Sequence, residues 1–336
     1  MNSQAENLSV VIPTYNASTF IRRTLQSIFD QIICPIEIII VDDCSRDNTE
    51  AQVHEAASSS PIPIWYHRLP ANTGGPAKPL NYGIRRARGE WIATIDHDDV
   101  FANGWLATAI RCSALSKTIK LIFGRVNTLS IGAIAPSPVE FVISDIRKAA
   151  LPIGSDCFLL PQAEAYHLLM RHRCYTHTCS NMVFQKAAWA AVGGFDEEFR
   201  TTCDFGFLQK IAEWFDLGFA DALAVQWTTS PTSLLSRTQP SRVDRELLSI
   251  FRRFRTVLLR PSARVELNRI CRDLLFDLGH NAAINGRSLD AIWHYLLSLW
   301  YGVNGRSVLG LAKLLPARLY HWRSRSSGPH TQRNEQ

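Results

Sequence analysis

An α/β fold built on a doubly wound, mostly parallel sheet, followed by a helical extension, is what this 336-residue chain predicts. Three observations carry the prediction. Short, wholly apolar runs alternate with amphipathic stretches over residues 8–101, the spacing of βαβ units. Polar clusters stand at the carboxyl ends of three of those runs, where open α/β sheets bind their ligands. From about Ser241 onward the pattern turns helical almost throughout, and the charge balance changes sign.

The elements follow in order. Leu8–Pro13 is short and apolar and reads as a buried strand. Ala17–Phe29 places Phe20, Ile21, Leu25 and Ile28 on one helical stripe. Pro35 breaks the chain before a second buried strand, Ile36–Val41. Asp47–Ala57 reads as a helix capped by Asp47, and Pro61–His67 as a third strand. Ala77–Arg88 is helical, and Trp91–Ile95 is a fourth strand running into Asp96-His97-Asp98-Asp99. Pro and Ser punctuate Ile131–Pro161, which has no clear assignment. Thr178–Phe184 reads as a strand, and Asp204–Phe215 as a helix. No internal repeat or low-complexity segment is present. The expected division is a domain over 1–236, a basic helical extension over 237–326 and a disordered tail over 327–336.

Composition narrows the function classes. Hydrophobic residues make up 46% of the chain, enough for a large core and too many for a disordered one. Met1–Ser9 lacks the basic and apolar regions of a secretory signal, so a cytoplasmic location is expected. No apolar run approaches the roughly 18–20 residues of a membrane span; Ala291–Val303 is short and is broken by His294, Ser298 and Gly302. Eight cysteines without a CxxC pair or an export signal are expected as free thiols. His172, Cys174, His177 and Cys179 lie close together but match no zinc spacing; an irregular surface loop is the expected reading.

Asp96-His97-Asp98 is where chemistry is expected. Carboxylates at i and i+2 alone signal little, since an acidic turn before a helix looks the same. At the end of a buried strand, facing Thr14-Tyr15-Asn16 and Asp42-Asp43 at two other strand ends, they can converge on a divalent cation that also binds substrate phosphates. A nucleotide-sugar donor needs such a cation, because it departs as a diphosphate. No Gly-Lys-Ser/Thr follows the glycines of Asn72-Thr73-Gly74-Gly75, no GxGxxG follows the first strand, and there is no GxSxG. P-loop, dinucleotide and hydrolase-elbow chemistry are therefore not expected.

The ordered set Val10-Val11-Ile12-Pro13-Thr14-Tyr15-Asn16, Glu37-Ile38-Ile39-Ile40-Val41-Asp42-Asp43-Cys44-Ser45, Asn72-Thr73-Gly74-Gly75-Pro76, Asn81-Tyr82-Gly83 and Ala93-Thr94-Ile95-Asp96-His97-Asp98-Asp99 resembles family 2 glycosyltransferases of the GT-A fold. It spans Leu8–Phe101 and continues more weakly through Gly193-Gly194-Phe195-Asp196-Glu197 to Asp204; the C-terminal third is not covered. The resemblance implies an inverting transferase of the hexosyltransferase type, serving bacterial cell-surface polysaccharide, with UDP-sugar as donor and Mn²⁺ or Mg²⁺ as cofactor. It assigns Pro13, Tyr15 and Asp43 to the base and ribose, with Asp43 accepting the uracil N3–H. Asp96 would face the ribose or the metal, Asp98 would bind the metal, and Asp204 would be the catalytic base, with Asp196 its rival. Two departures stand out: Cys203 replaces the Glu usual before Asp204, and Leu80 stands where Arg often precedes the Asn. Lys78 is the cation expected near the diphosphate instead. A catalytically silent glycan-binding or scaffold protein on the same fold is the alternative kept open by Cys203. A sugar nucleotidyltransferase is the weaker one, since no Gly-rich loop with Arg follows Pro13.

The charge belongs to one region. Residues 237–325 hold 16 Lys+Arg against 6 Asp+Glu, a net of +10, whereas residues 1–236 hold 19 against 23. Ser241–Leu259 interleaves Arg242, Arg245, Arg252, Arg253 and Arg255 with an apolar stripe, and Ala291–Trp322 is rich in Trp, Tyr and Leu. Such helices suit an anionic membrane surface, and an ordinary helical bundle coated with Arg fits them equally. The expected partners are a nucleotide-sugar donor, a glycan or lipid-linked acceptor and the inner face of the cell membrane. No recognition motif points to nucleic acid.

Overall fold

The computed structural model describes residues 3–4, 7–130, 133–135, 140–229, 233–254 and 261–314. The expected tail, 327–336, and the aromatic-basic run through Trp322 and Arg325 lie outside them. The chain divides into two compact units, Met1–Gln239 with Arg253–Ala263, and Pro240–Arg252 with Arg264–Gln336.

The first unit is built on one large sheet and a separate two-stranded pair, Ser3–Gln4 with Ile33–Cys34. Its strands begin with β1 (Ser3–Gln4), β2 (Leu8–Thr14), β3 (Ile33–Cys34), β4 (Glu37–Asp42), β5 (Ile64–Arg68), β6 (Trp91–Thr94) and β7 (Val100–Phe101). They continue with β8 (Ile119–Ser130), β9 (Ala133–Ala135), β10 (Leu151–Pro152), β11 (Cys157–Leu160), β12 (Met182–Gln185) and β13 (Asp216–Thr228). The large sheet runs β10-β11-β13-β8-β12-β6-β2-β4-β5, with β7 on β13 and β9 on β8. The half β6-β2-β4-β5 is parallel, as the βαβ spacing predicts. β12 then enters antiparallel to both β6 and β8, and β13 runs parallel to β8. Every residue of β2 and of β4 is buried, the burial that parallel strands covered on both faces require.

The helices of this unit are α1 (Ile21–Phe29), α2 (Thr49–Ser58), α3 (Ala77–Arg86), α4 (Trp105–Leu115), α5 (Glu140–Ala149), α6 (Gln162–His172), α7 (Lys186–Ala191), α8 (Cys203–Ala212) and α9 (Leu234–Arg237). α1 buries Ile21, Leu25 and Ile28 against the sheet core. It starts four residues later than the apolar stripe suggests. Residues before it are spent on anchoring: the Ala17 N–H donates to Thr49 Oγ1 at 2.8 Å and the Ser18 N–H to Asp47 Oδ2 at 3.0 Å. Asp47 is accordingly not the N-cap of α2, which is Asn48; it binds the Thr49 N–H from one residue further out, at 3.1 Å. α3 lies unusually close to the sheet at Gly83, where a Cβ would come within 2.6 Å of Val11 Cγ1 and 3.1 Å of Val41 Cγ2. Only glycine allows this approach, and it brings the loop before α3 over the ends of β2 and β4.

Two segments depart from the sequence reading. Thr178–Phe184 is not one strand: Thr178 caps a 3₁₀ turn over Cys179–Asn181, and only Met182 onward enters the sheet. The expected break after residue 236 falls inside α9, and the chain returns to the first unit at Arg253. Side-chain chemistry explains that return. Arg253 pairs with Asp196 at 2.9 Å and with Glu198, and its guanidinium lies over the Phe199 ring at 4.9 Å. The Phe254 ring packs on Tyr166 at 4.9 Å.

The second unit contains α10 (Pro240–Arg252), α11 (Pro261–Ile284, whose first residues belong to the other unit), α12 (Ser288–Trp300) and α13 (Gly305–Leu314). Tyr295 is its buried centre, clustered with Ala282 and Ala291. On α12 the outward line is apolar: Leu289 (83% exposed), Trp293 (62%), Leu296 (50%) and Trp300 (88%) recur at helical spacing, opposite buried Ala291, Tyr295 and Ser298. Much of the positive charge of this unit is spent locally. Arg242 pairs with Glu246, Arg269 with Glu266 and Asp273, Arg272 and Arg306 with Asp273, and Arg287 with Asp290.

Candidate functional site

The register of the parallel strands decides which residues meet. β2 pairs with β4 through Thr14↔Asp42 and with β6 through Val11↔Thr94. The residues leaving these three strands therefore stand side by side: Tyr15-Asn16, Asp43-Cys44 and Asp96–Asp99. Hydrogen bonds tie the exits together. The Asp43 N–H donates to Thr14 O at 2.7 Å, and His97 Nδ1 lies 3.3 Å from Pro13 O. Asn16 and Cys44 both adopt left-handed backbone, with φ of 50° and 65°. The turn they form is closed by Asn16 N–H to Ser45 Oγ and Arg46 N–H to Asn16 Oδ1, both 2.8 Å. Pro13 is buried and Tyr15 is half-buried at its edge.

The two aspartates after β4 do different work. Asp42 is fully buried and takes Tyr66 Oη and Arg68 Nη1 at 2.9 Å each, so it holds the β4–β5 edge. Asp43 accepts from the Thr73 N–H at 2.8 Å and the Gly74 N–H at 3.2 Å, which docks the glycine loop onto the strand end. Lys78, in the first turn of α3, is exposed. Leu80 is fully buried and belongs to the core. Asn81, also buried, is a clamp. Its Nδ2 donates to Phe195 O at 2.8 Å and to Glu197 Oε1 at 3.0 Å, and its Oδ1 accepts from the Phe195 N–H at 2.9 Å. The Asn-Tyr-Gly and Gly-Gly-Phe-Asp motifs are thus two halves of one contact.

Asp96, Asp98 and Asp99 have three distinct settings. Asp96 is held by the 3₁₀ turn: its N–H donates to Ser180 Oγ at 2.9 Å, and Thr178 Oγ1 donates to its Oδ2 at 3.3 Å. Burial first, then the charges of Asp98 and Asp204, push its carboxyl up to about 7. Asp99 is buried, accepts from Ser180 Oγ at 2.5 Å and from the Thr228 N–H at 2.8 Å, and so joins this turn to the end of β13. Burial, together with Asp96 and Asp98, raises its carboxyl well above the usual range. Asp98 is half-buried, and among the described residues its carboxylate has no hydrogen-bond or ion-pair partner. Its backbone carbonyl is fixed by Arg23 Nη2 at 2.7 Å.

Asp204 joins this group from the other side. It lies in the first turn of α8, accepts from the Phe205 N–H at 2.7 Å on Oδ1, and is close enough to raise the Asp96 carboxyl by its charge. Cys203 is buried, its free thiol within hydrogen-bonding reach of Cys179. Asp196, the rival base, is bracketed by Lys210 at 3.2 Å and Arg253 at 2.9 Å and so serves as an ion-pair centre.

All eight cysteines are free thiols. Among the described residues no group of three or more His, Cys, Asp or Glu side chains is arranged to hold a metal ion. His172 instead bonds Asp145 at 3.1 Å. A cation shared with a diphosphate asks less of the protein, one or two carboxylates with the remaining positions taken by phosphate and water. Asp98, unpartnered among the described residues and beside the desolvated Asp96, fits that demand. Sequence reasoning passed over Thr178, Ser180 and Asp99, which orient Asp96. The one visible signal for Thr178 and Ser180 is a run of hydroxyl side chains before a buried strand, and it has no fixed spacing to the aspartates.

A sequence profile described as "Glycosyl transferase family 2" matches residues 9–111. An uncharacterized glycosyltransferase of Rickettsia felis is 26% identical over 67% of this chain and 35% of its own length. The poly(ribitol-phosphate) beta-N-acetylglucosaminyltransferase TarS of Staphylococcus aureus is 36% identical over 27% of this chain and 16% of its own. An uncharacterized glycosyltransferase of Haemophilus influenzae is 33% identical over 61% of this chain and 62% of its own. The chain thus spans about a third or less of the first two relatives. Among solved structures, S. aureus TarS 1-349 in complex with UDP-GlcNAc superposes with a TM-score of 0.62 at 17% identity, over 94% of this chain and 92% of that one. The mannosyltransferase PcManGT of Pyrobaculum calidifontis, in complex with GDP-Man and Mn²⁺, gives 0.55 at 17% identity, over 95% and 82%. The fold is GT-A, with helices following the sheet domain.

Proposed function

From a chain that carries a glycosyl transferase family 2 domain, we propose an inverting glycosyltransferase that moves a sugar from a UDP-sugar to an acceptor hydroxyl of a cell-surface glycan. The observation that carries this reading is the approach of Asp98 and Asp204 to Asp96, whose carboxyl their charges raise, beyond the end of β6 at a switch in strand order. Repelling carboxylates gathered in one crevice are arranged for a cation and for a proton.

In this reading Pro13, Tyr15 and Asp43 hold the nucleotide, with Tyr15 offering a ring face and Asp43 accepting the uracil N3–H. Lys78 stands near the diphosphate. Asp98, with Asp96 beside it, would hold Mn²⁺ or Mg²⁺, which supplies neutralisation of the charge gathering on the departing UDP. Asp204 takes the acceptor hydroxyl proton as the acceptor oxygen bonds to the anomeric carbon and the bond to UDP breaks on the opposite face. Calorimetric titration of UDP, GDP and CMP, with Mn²⁺ and then with EDTA, tests the donor class. Mn²⁺-dependent binding of UDP alone is expected; binding of none of the three would bring forward the silent scaffold, which the loss of a Glu at Cys203 favours.

The same proposal sets the protein on the cytoplasmic face of the membrane, next to a lipid-linked acceptor. Among the described residues no helix is long and apolar enough to cross a membrane. The outward Leu289, Trp293, Leu296 and Trp300 of α12 support surface docking more than the charge does, because so many arginines are paired. Flotation with phosphatidylglycerol vesicles should carry the wild type and lose the Trp293→Ser/Trp300→Ser variant. Equal flotation of both, or of neither, removes the membrane from the reading.

A further inference from the structure

The loop between α6 and the 3₁₀ turn contains two non-glycine residues in left-handed backbone, Arg173 (φ 54°) and His177 (φ 72°). Such conformations cost about 1–3 kcal/mol each and persist where surrounding structure enforces them. Here the His177 N–H closes a tight turn on Cys174 O at 3.1 Å, and Asn181 Nδ2 grips Thr176 O at 3.0 Å while its other bonds hold Gly124 of β8. The turn so enforced aims one side chain at the site: Cys174 Sγ donates to Asp204 Oδ2 at 3.5 Å. With the Phe205 N–H on Oδ1, each carboxylate oxygen has a donor.

We propose that Cys174 is a positioning residue for Asp204, its thiol hydrogen bond setting the rotation of the carboxylate that receives the acceptor proton. The inference rests on the reading of Asp204 as the base. Burial and the nearby Asp204 charge keep the thiol protonated, so it remains a donor. No second carboxylate can share the task from position 203, since Cys203 is buried and engaged with Cys179. A weak donor suits the role: it orients the carboxylate while costing it little basicity, whereas a cation would hold the base in its ionised form and weaken it.

The test compares Cys174→Ala, Cys174→Ser, Asp204→Asn and the Cys174→Ala/Asp204→Asn double variant in UDP release from UDP-GlcNAc, alongside UDP titration. Cys174→Ala should lower kcat by about tenfold with UDP affinity within about twofold, and Cys174→Ser should recover most of the loss. In the Asp204→Asn background, Cys174→Ala should cost nothing more, because it acts only through that carboxylate. Wild-type kcat in Cys174→Ala, equal losses in the Ala and Ser variants, or additive losses in the double variant would each overturn the proposal. Undiminished turnover in Asp204→Asn would instead remove the base itself. Infrared spectroscopy supplies a readout that needs no turnover. The S–H stretch assigned by its disappearance in Cys174→Ser should move to higher frequency in Asp204→Ala, and an unmoved band refutes the hydrogen bond.

Discussion

Asp204→Asn is expected to bind UDP within about twofold of the wild type and to transfer sugar about 10²–10⁴-fold more slowly, the range a positioned general base contributes. The substitution is close to isosteric. Its oxygen can still accept from the Phe205 N–H, so the start of α8 should remain intact. What disappears is the ability to take a proton from the acceptor hydroxyl. Single-turnover measurement of UDP release, beside calorimetric UDP titration, separates these effects. Turnover at the wild-type rate would require another base, and Asp196, ion-paired with Lys210 and Arg253, is the next carboxylate to substitute.

Asp98→Ala should remove the metal-dependent part of donor binding. With Mn²⁺ present, UDP affinity should fall at least about tenfold, near 1.4 kcal/mol. With EDTA the variant and the wild type should bind alike. The reason lies in the difference between neighbours. Asp99 is committed to Ser180 and Thr228, and Asp96 is held by Thr178 and Ser180, while the Asp98 carboxylate has no such partner among the described residues. The variant also removes one of the charges that raise Asp96, so the metal-free protein should lose no thermal stability. An Asp98→Ala variant whose UDP binding still responds fully to Mn²⁺ would move the cation elsewhere or out of the mechanism.

The parallel half of the sheet was legible because burial on both faces forces continuous apolar runs, and Val10–Ile12 and Ile38–Val41 are such runs. The mixed half was not. β8 and β13 are long and bulged, alternate weakly, and are joined to the parallel half through a short strand, β12, whose preceding 3₁₀ turn looks like more strand in the sequence. Helix starts were misplaced where polar side chains served tertiary contacts, as Asp47 does for Ser18 and Thr49. The basic C-terminal region illustrates a further limit. Charge counts register every arginine equally, but Arg253 folds onto Asp196 and Glu198, and Asp273 draws in Arg269, Arg272 and Arg306.

Local sequence determined where the apolar strands lie, that they alternate with helices, and that Tyr15, Asp43, Asp96 and Asp98 leave strands at their carboxyl ends. Those are consequences of side-chain periodicity and of chain breaks, which act over a few residues. Tertiary structure alone decided which of these groups is committed and which is available. Asp42 and Asp43 are adjacent in the chain, yet one is locked to Tyr66 and Arg68 and the other to the glycine loop. Asp204 reaches Asp96 across more than a hundred residues of sequence, and Cys174 reaches Asp204 only because an enforced left-handed turn aims it there. Desolvation and Coulomb repulsion depend on what surrounds a carboxylate in space, and no spacing along the chain encodes that.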